Sequence, residues 1–177
     1  LLEWSRQYDE VVWLDSNGHI GTYSSFDGLL AVDGLTGIST DAQHGFSDLA
    51  EYQSQVTDWI FGYLAYDLKN DTEFVSSQNY DGLEFPELYF FQPKKIIRIQ
   101  GNKVDFIYLN IVADAISSDY DVLSNETFHQ DNSKATDGNV HIKMRIFKDE
   151  YFSKVNQMLA HIHQGDIYEA NFCQEFY

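Results

Sequence analysis

"KKIIRIQGNKVDFIYLN" (residues 94–110) is two β-rich runs on either side of Gly101-Asn102. β-branched and aromatic residues favour extended backbone, and a Gly-Asn pair between two such runs gives the tight turn of a hairpin. An antiparallel sheet is therefore the frame of the chain. Just upstream, "ELYFFQP" (87–93) reads as a strand whose continuation Pro93 limits, because proline cannot donate to a ladder. "DWIFGYLAYDL" (58–68) is the longest apolar run and predicts a central strand. "NDTEFVSSQNYDGLEF" (70–85) is a polar loop ended by Pro86.

Nearer the N-terminus, "EVVWLDS" (10–16) predicts a buried strand and "SNGH" (16–19) a turn. "HIGTYSSF" (19–26) predicts a second extended segment, and "LLAVDG" (29–34) a third, ended by Gly34. This spacing is that of an antiparallel meander. "FSDLAEYQSQV" (46–56) places Phe46, Leu49, Ala50 and Val56 as a helix would, with Ser47 or Asp48 as its cap.

Downstream of the hairpin, residues 111–128 fit no single pattern. "HQDNSKATDGN" (129–139) is polar and reads as a linker or loop. It separates an N-terminal region, 1–128, from a second region, 140–177. "VHIKMRI" (140–146) alternates as a half-buried strand does. Phe152, Val155, Leu159 and Ile162 lie on one face of a helix predicted over 149–163, capped by Asp149 and ended by Gly165. "DIYEANFCQEFY" (166–177) alternates again. One face carries Ile167, Glu169, Asn171, Cys173 and Glu175; the other carries Tyr168, Ala170, Phe172, Gln174 and Phe176.

Composition narrows the function. The chain has 177 residues, 44% of them hydrophobic and 16% aromatic, so it can build a core of one large or two small domains. Its formal net charge of −17 repels phosphate backbones and anionic lipid, which argues against nucleic-acid and membrane partners. Cys173 is the single cysteine, which rules out an internal disulfide and fits a reducing, cytoplasmic compartment. No apolar stretch approaches the ~20 residues of a membrane span, and no secretory signal is present. The chain starts without Met and ends in "CQEFY", inside a predicted strand, so both ends read as cut.

No Gly-rich phosphate loop, zinc spacing or nucleophile elbow is present. His161 and His163 fall about 200° apart around a helix axis and cannot chelate one ion from one face. Cys173 has no paired histidine to activate it. Glu169, Asn171 and Glu175 share one strand face, which is either a solvated sheet face or a pocket wall. Ser16, Tyr23, Ser24 and Ser25, with Phe26 beside them, either cradle an amino-acid-sized ligand or form an ordinary polar hairpin.

"GDIYEANFCQEF" (165–176) resembles the motif that opens the chorismate-binding domain in component I of aminodeoxychorismate synthase and of anthranilate synthase. Gly165, Asp166, Ile167, Tyr168, Asn171, Gln174 and Phe176 match the family's form. Glu169 stands where Gln is usual, Phe172 where Leu is usual and Glu175 where Arg is usual. The preceding "DEYFSKVNQMLAHIHQGD", the upstream "WIFGYLAYDL" and "PELYFFQPKKII", and the pair "LDS" (14–16) and "YSSF" (23–26) are similar to the family in the same order.

The resemblance implies an α+β fold, with antiparallel β-sheets packed face to face and flanking helices, incomplete in this chain. It implies conversion of chorismate with Mg²⁺, using ammonia from a glutamine amidotransferase partner. It makes Gly165, Asp166, Tyr168, Asn171 and Gln174 the opening of the substrate domain. It makes Ser16, Tyr23, Ser24, Ser25 and Phe26 a tryptophan-type pocket. The family's metal-binding glutamates, its general acid/base and its Pro-Ile-[Lys/Ala]-Gly-Thr segment are absent from the 177 residues, so the chain alone is expected to be inactive. "LDSNG" and Asn171 lean towards aminodeoxychorismate synthase and folate synthesis, with anthranilate synthase as the alternative and isochorismate-forming relatives third. A different class, a non-catalytic ligand-binding or partner-docking domain, would have residues 1–150 fold alone.

Overall fold

The computed structural model describes residues 1–19, 21–23, 25–41, 43–76, 80–125 and 141–177. It divides into two compact units, Leu1–Phe128 and His129–Tyr177.

One strand organises the first unit. β4 (Leu88–Gln100) pairs with β2 (Gly28–Thr40) along one side. Its other side is shared between β3 (Phe61–Leu64), on Leu88–Phe91, and β5 (Lys103–Tyr108), on Lys95–Gln100. β1 (Val11–Asp15) pairs with β2 from Gly28 to Val32. All these pairings are antiparallel. The hairpin predicted at 94–110 forms, with Gln100 opposite Lys103 and Gly101 at φ +56°. A positive φ at the first turn residue alone is the form in which glycine leads.

Several sequence expectations are corrected here. Pro93 does not end its strand. It falls where β3 has finished and β5 has not begun, and opposite Gly34, where the β2 register shifts before Thr36. Its missing N–H therefore interrupts no regular ladder. The same irregularity lets β2 run past Gly34 to Thr40. The apolar run 58–68 is not a central strand. It contributes the four residues of β3, paired on one side only, and Trp59 and Leu64 are about half exposed. Gly62 is needed there, since a Cβ would stand 1.9 Å from the Tyr89 carbonyl oxygen. The described residues of 19–26 form turns and irregular chain in place of a strand.

α1 (Leu2–Ser5) precedes β1, and α2 (Gly45–Val56) forms where predicted. Neither Ser47 nor Asp48 caps α2. Asp71, from the 3₁₀ turn Tyr66–Asp71, accepts the His44 and Phe46 amides at 2.8 and 3.2 Å. Local sequence could not reveal a cap supplied from 25 residues away. The ambiguous stretch after β5 is a 3₁₀ turn, Asn110–Ala115, running into α3 (Ile116–Asn125).

Leu29, Leu30, Ala31 and Val32 of β2 are fully buried, alternating between two clusters. Leu29 and Ala31 pack with Phe61, Phe91 and Ile96; Leu30 and Val32 pack with Trp4 and Ile97. Within the second group lies a buried lysine. Lys95 Nζ donates to Asp119 Oδ2 at 2.7 Å and Tyr8 Oη at 3.0 Å, with the Trp4, Tyr8 and Tyr108 rings around it. Burial alone would lower its pKa, but the bonds to Asp119 and Tyr8 outweigh that and raise it. Burial, then the bond to Asp119, pushes the Tyr108 hydroxyl up strongly. This network ties α3 and the N-terminal turn to β4.

In the second unit, α4 (Lys148–Gln164) ends as predicted at Gly165, φ +83°, whose amide donates to the Ile162 carbonyl at 3.1 Å. Phe147, not Asp149, is the N-cap; Asp149 and Glu150 lie in the first turn, where they favour the helix dipole. The predicted strands 140–146 and 166–177 do not form as such. Only Met144 bridges Phe176, flanked by paired Lys143–Tyr177 amide bonds of 2.8 and 2.9 Å. A strand takes its backbone bonds from neighbours, and among the described residues these two short pieces have only each other. The predicted linker 129–139 and Val140 lie outside the described residues. No described helix is long and apolar enough to cross a membrane.

Candidate functional site

β1 delivers the first wall of a cavity of about 540 Å³, and the turn and loop that follow deliver the rest. Ser16-Asn17-Gly18-His19 closes as a tight turn: the His19 amide donates to the Ser16 carbonyl at 2.8 Å, with Asn17 and Gly18 at φ +49° and +72°. Two left-handed residues in succession need small, permissive side chains, and Asn-Gly supplies them. The Asp15 carboxylate braces this turn, accepting the Asn17 amide at 2.7 Å and the Trp13 indole N–H at 3.3 Å. The Trp13 ring lies directly on Gly28, where a Cβ would come within 2.7 Å of it. Asp27 closes the loop, its amide donating to the Ile99 carbonyl and its carboxylate accepting the Gly101 amide at 2.6 Å.

Of the predicted pocket residues, Ser16, Tyr23, Ser25 and Phe26 all line this cavity. Ser24 lies outside the described residues. Ser16 and Phe26 are half-buried, whereas Tyr23 is 95% exposed and stands at the rim. Trp13, Leu14, Asp15 and His19 also line it; sequence reasoning quoted Leu14 and Asp15 only within the "LDS" motif and named neither Trp13 nor His19 for the pocket. Strand alternation extended back from Ser16 reaches Leu14, whereas Trp13 and Asp15 fall on the opposite parity of β1. The lining joins the Trp13, Tyr23 and Phe26 rings, two serine hydroxyls, one carboxylate and one imidazole. Such a set suits a small aromatic ligand with polar ends.

The predicted opening of the substrate domain lies in the second unit. Gly165 is the helix stop just described. Asp166 Oδ2 lies 2.7 Å from His161 Nδ1, a pair at the exposed end of α4. Gln174 donates to the Ile146 carbonyl at 2.8 Å. Tyr168 is 93% exposed and Asn171 is also exposed, so the five residues do not converge. Cys173 is exposed. Glu175 is held by Arg145, with contacts of 2.9 and 2.7 Å, and those bonds lower its pKa. Arg145 thus places a guanidinium beside Glu175. The alternation of 140–146 placed Arg145 on a polar face but did not name its partner.

The Mg²⁺ expected by resemblance finds no fit here. Among the described residues no group of three or more His, Cys, Asp or Glu side chains could hold a metal ion.

The family model described as chorismate binding enzyme matches residues 11–177. No curated protein matches the chain.

Proposed function

The chain belongs to the chorismate-binding enzyme family, and from that premise we propose that it serves an aminodeoxychorismate synthase. The family match supports a role in chorismate conversion, and it spans both the cavity-bearing unit and the 165–176 motif. The finer choice rests on residues. "LDSNG" builds the turn at the cavity, and Asn171 stands in the opening motif. In this reading the holoenzyme aminates chorismate to 4-amino-4-deoxychorismate, with ammonia from a glutamine amidotransferase subunit and Mg²⁺ bound by residues other than the described ones. The first unit contributes an amino-acid pocket for tryptophan. The second contributes the start of the substrate domain.

The observation that carries the pocket assignment is the convergence of Ser16, Tyr23, Ser25 and Phe26 on one cavity. Tryptophan titration by calorimetry tests it: saturable binding is expected, and Ser16→Ala is expected to weaken it with the fold intact. The reaction is tested by supplying the holoenzyme with chorismate, ammonium and Mg²⁺ and identifying the product by mass. 4-Amino-4-deoxychorismate is expected; anthranilate would move the enzyme to the tryptophan pathway. The 177 residues alone are expected to form neither.

A further inference from the structure

We propose that His19 is the specificity-determining residue of the cavity, binding the carboxylate of a zwitterionic aromatic amino acid; this rests on the pocket assignment above. The physical problem is electrostatic. The chain carries a formal charge of −17, and the one carboxylate in the lining, Asp15, adds a local negative charge. An amino acid brings its own carboxylate into this field. Among the described lining residues there is no Lys or Arg to receive it.

Much of the backbone at the turn is committed. The amides of Ser16, Asn17, His19 and Asp27 are already engaged by Asp27, Asp15, Ser16 and Ile99. The hydroxyls of Ser16 and Ser25 can donate, but they carry no charge. His19 is the one lining side chain that can become a cation near neutral pH. The turn fixes its place, since the His19 amide closes the Asn17-Gly18 turn and the residue lines the cavity. Asp15 and Tyr23 are the other titratable groups on the lining.

Asp15 and His19 therefore offer charges of opposite sign on a cavity whose walls are Trp13, Tyr23 and Phe26. An aromatic ring between the walls, an ammonium towards Asp15 and a carboxylate towards His19 satisfies all three. A carboxylate group near protonated imidazole gains a charge-assisted bond that the neutral ring offers only weakly. Affinity for such a ligand must then rise on acidification, as an imidazole gains its proton.

The test is calorimetric titration of the full chain with tryptophan and with tryptamine, which keeps the ring and ammonium but lacks the carboxylate, between pH 5.5 and 8. Tryptophan affinity is expected to rise about three- to tenfold on acidification, in line with one partly exposed charged bond. Tryptamine affinity is expected to stay flat. His19→Gln is expected to remove the pH dependence for tryptophan and to leave tryptamine binding unchanged. His19 is exposed, so the variant should keep its fold. Equal pH profiles for the two ligands, or a His19→Gln chain that retains the profile, would overturn the inference while leaving the pocket standing. No tryptophan binding at any pH would overturn the pocket assignment beneath it.

Discussion

The two units do not hold together in the same way. In the first, β2 runs between two apolar clusters and its residues 29–32 are wholly buried. In the second, no residue of α4 is buried, and Phe152 and Leu159 on its apolar face are 51% and 43% exposed. The sheet of the first unit is a ladder of five strands, whereas the second unit's strand-like pieces meet at one bridge. The lesson is about partners. The alternating pattern of 166–177 is as regular as that of the true strands, but pattern buries nothing without a neighbour.

The contrast can be broken at several points. The largest effect is expected at Lys95–Asp119. Asp119→Ala strands a buried ammonium and should destabilise the first unit by about 3–5 kcal/mol. Urea unfolding measures this, and an effect below about 1 kcal/mol would show that the ion pair is solvated. Leu30→Ala, which empties a fully buried position, should cost about 2–5 kcal/mol by the same measurement.

In the second unit the backbone is the most sensitive feature. Gly165→Ala forces a Cβ into the left-handed region at φ +83° and should cost about 1–2 kcal/mol, read as fraying of the α4 C-terminus by amide exchange. Leu159→Ala should change stability by no more than about 0.5 kcal/mol, as at a surface site. If Leu159→Ala proved as costly as Leu30→Ala, the apolar face of α4 would be covered in solution and the contrast would collapse.

The smallest expected effect concerns pH. Arg145 lowers the folded-state pKa of Glu175. The contribution of this pair is therefore present above the ordinary carboxylate value of about 4.3 and lost as the pH falls through the lowered one. Protection of the Lys143 and Tyr177 amides, relative to their intrinsic exchange at each pH, should fall on acidification across that range. Arg145→Gln should remove the pH dependence.

Much of the chain was legible locally. The 94–110 hairpin, the Asn17-Gly18 turn, the 46–56 helix and the Gly165 stop each depend on residues within a few positions of one another. What went astray depended on distant partners. Pro93 looked like a strand end until β3 and β5 were seen to divide the far side of β4 between them. The α2 cap came from Asp71, and the place of 58–68 at the side of the sheet came from its having one neighbour. The cavity was half visible. Hydroxyls and aromatics marked Ser16, Tyr23, Ser25 and Phe26, but Trp13 and Asp15 lie in what reads as an ordinary strand.

The sequence by itself determined the antiparallel frame, the turn residues, the acidic charge and the family to which the chain belongs. These follow from backbone preference, from side-chain chemistry and from a contiguous motif. Tertiary structure decided which apolar runs are buried, where the caps come from and which side chains meet around the cavity. Burial and convergence are properties of surfaces in contact, and no stretch of chain carries its own partner.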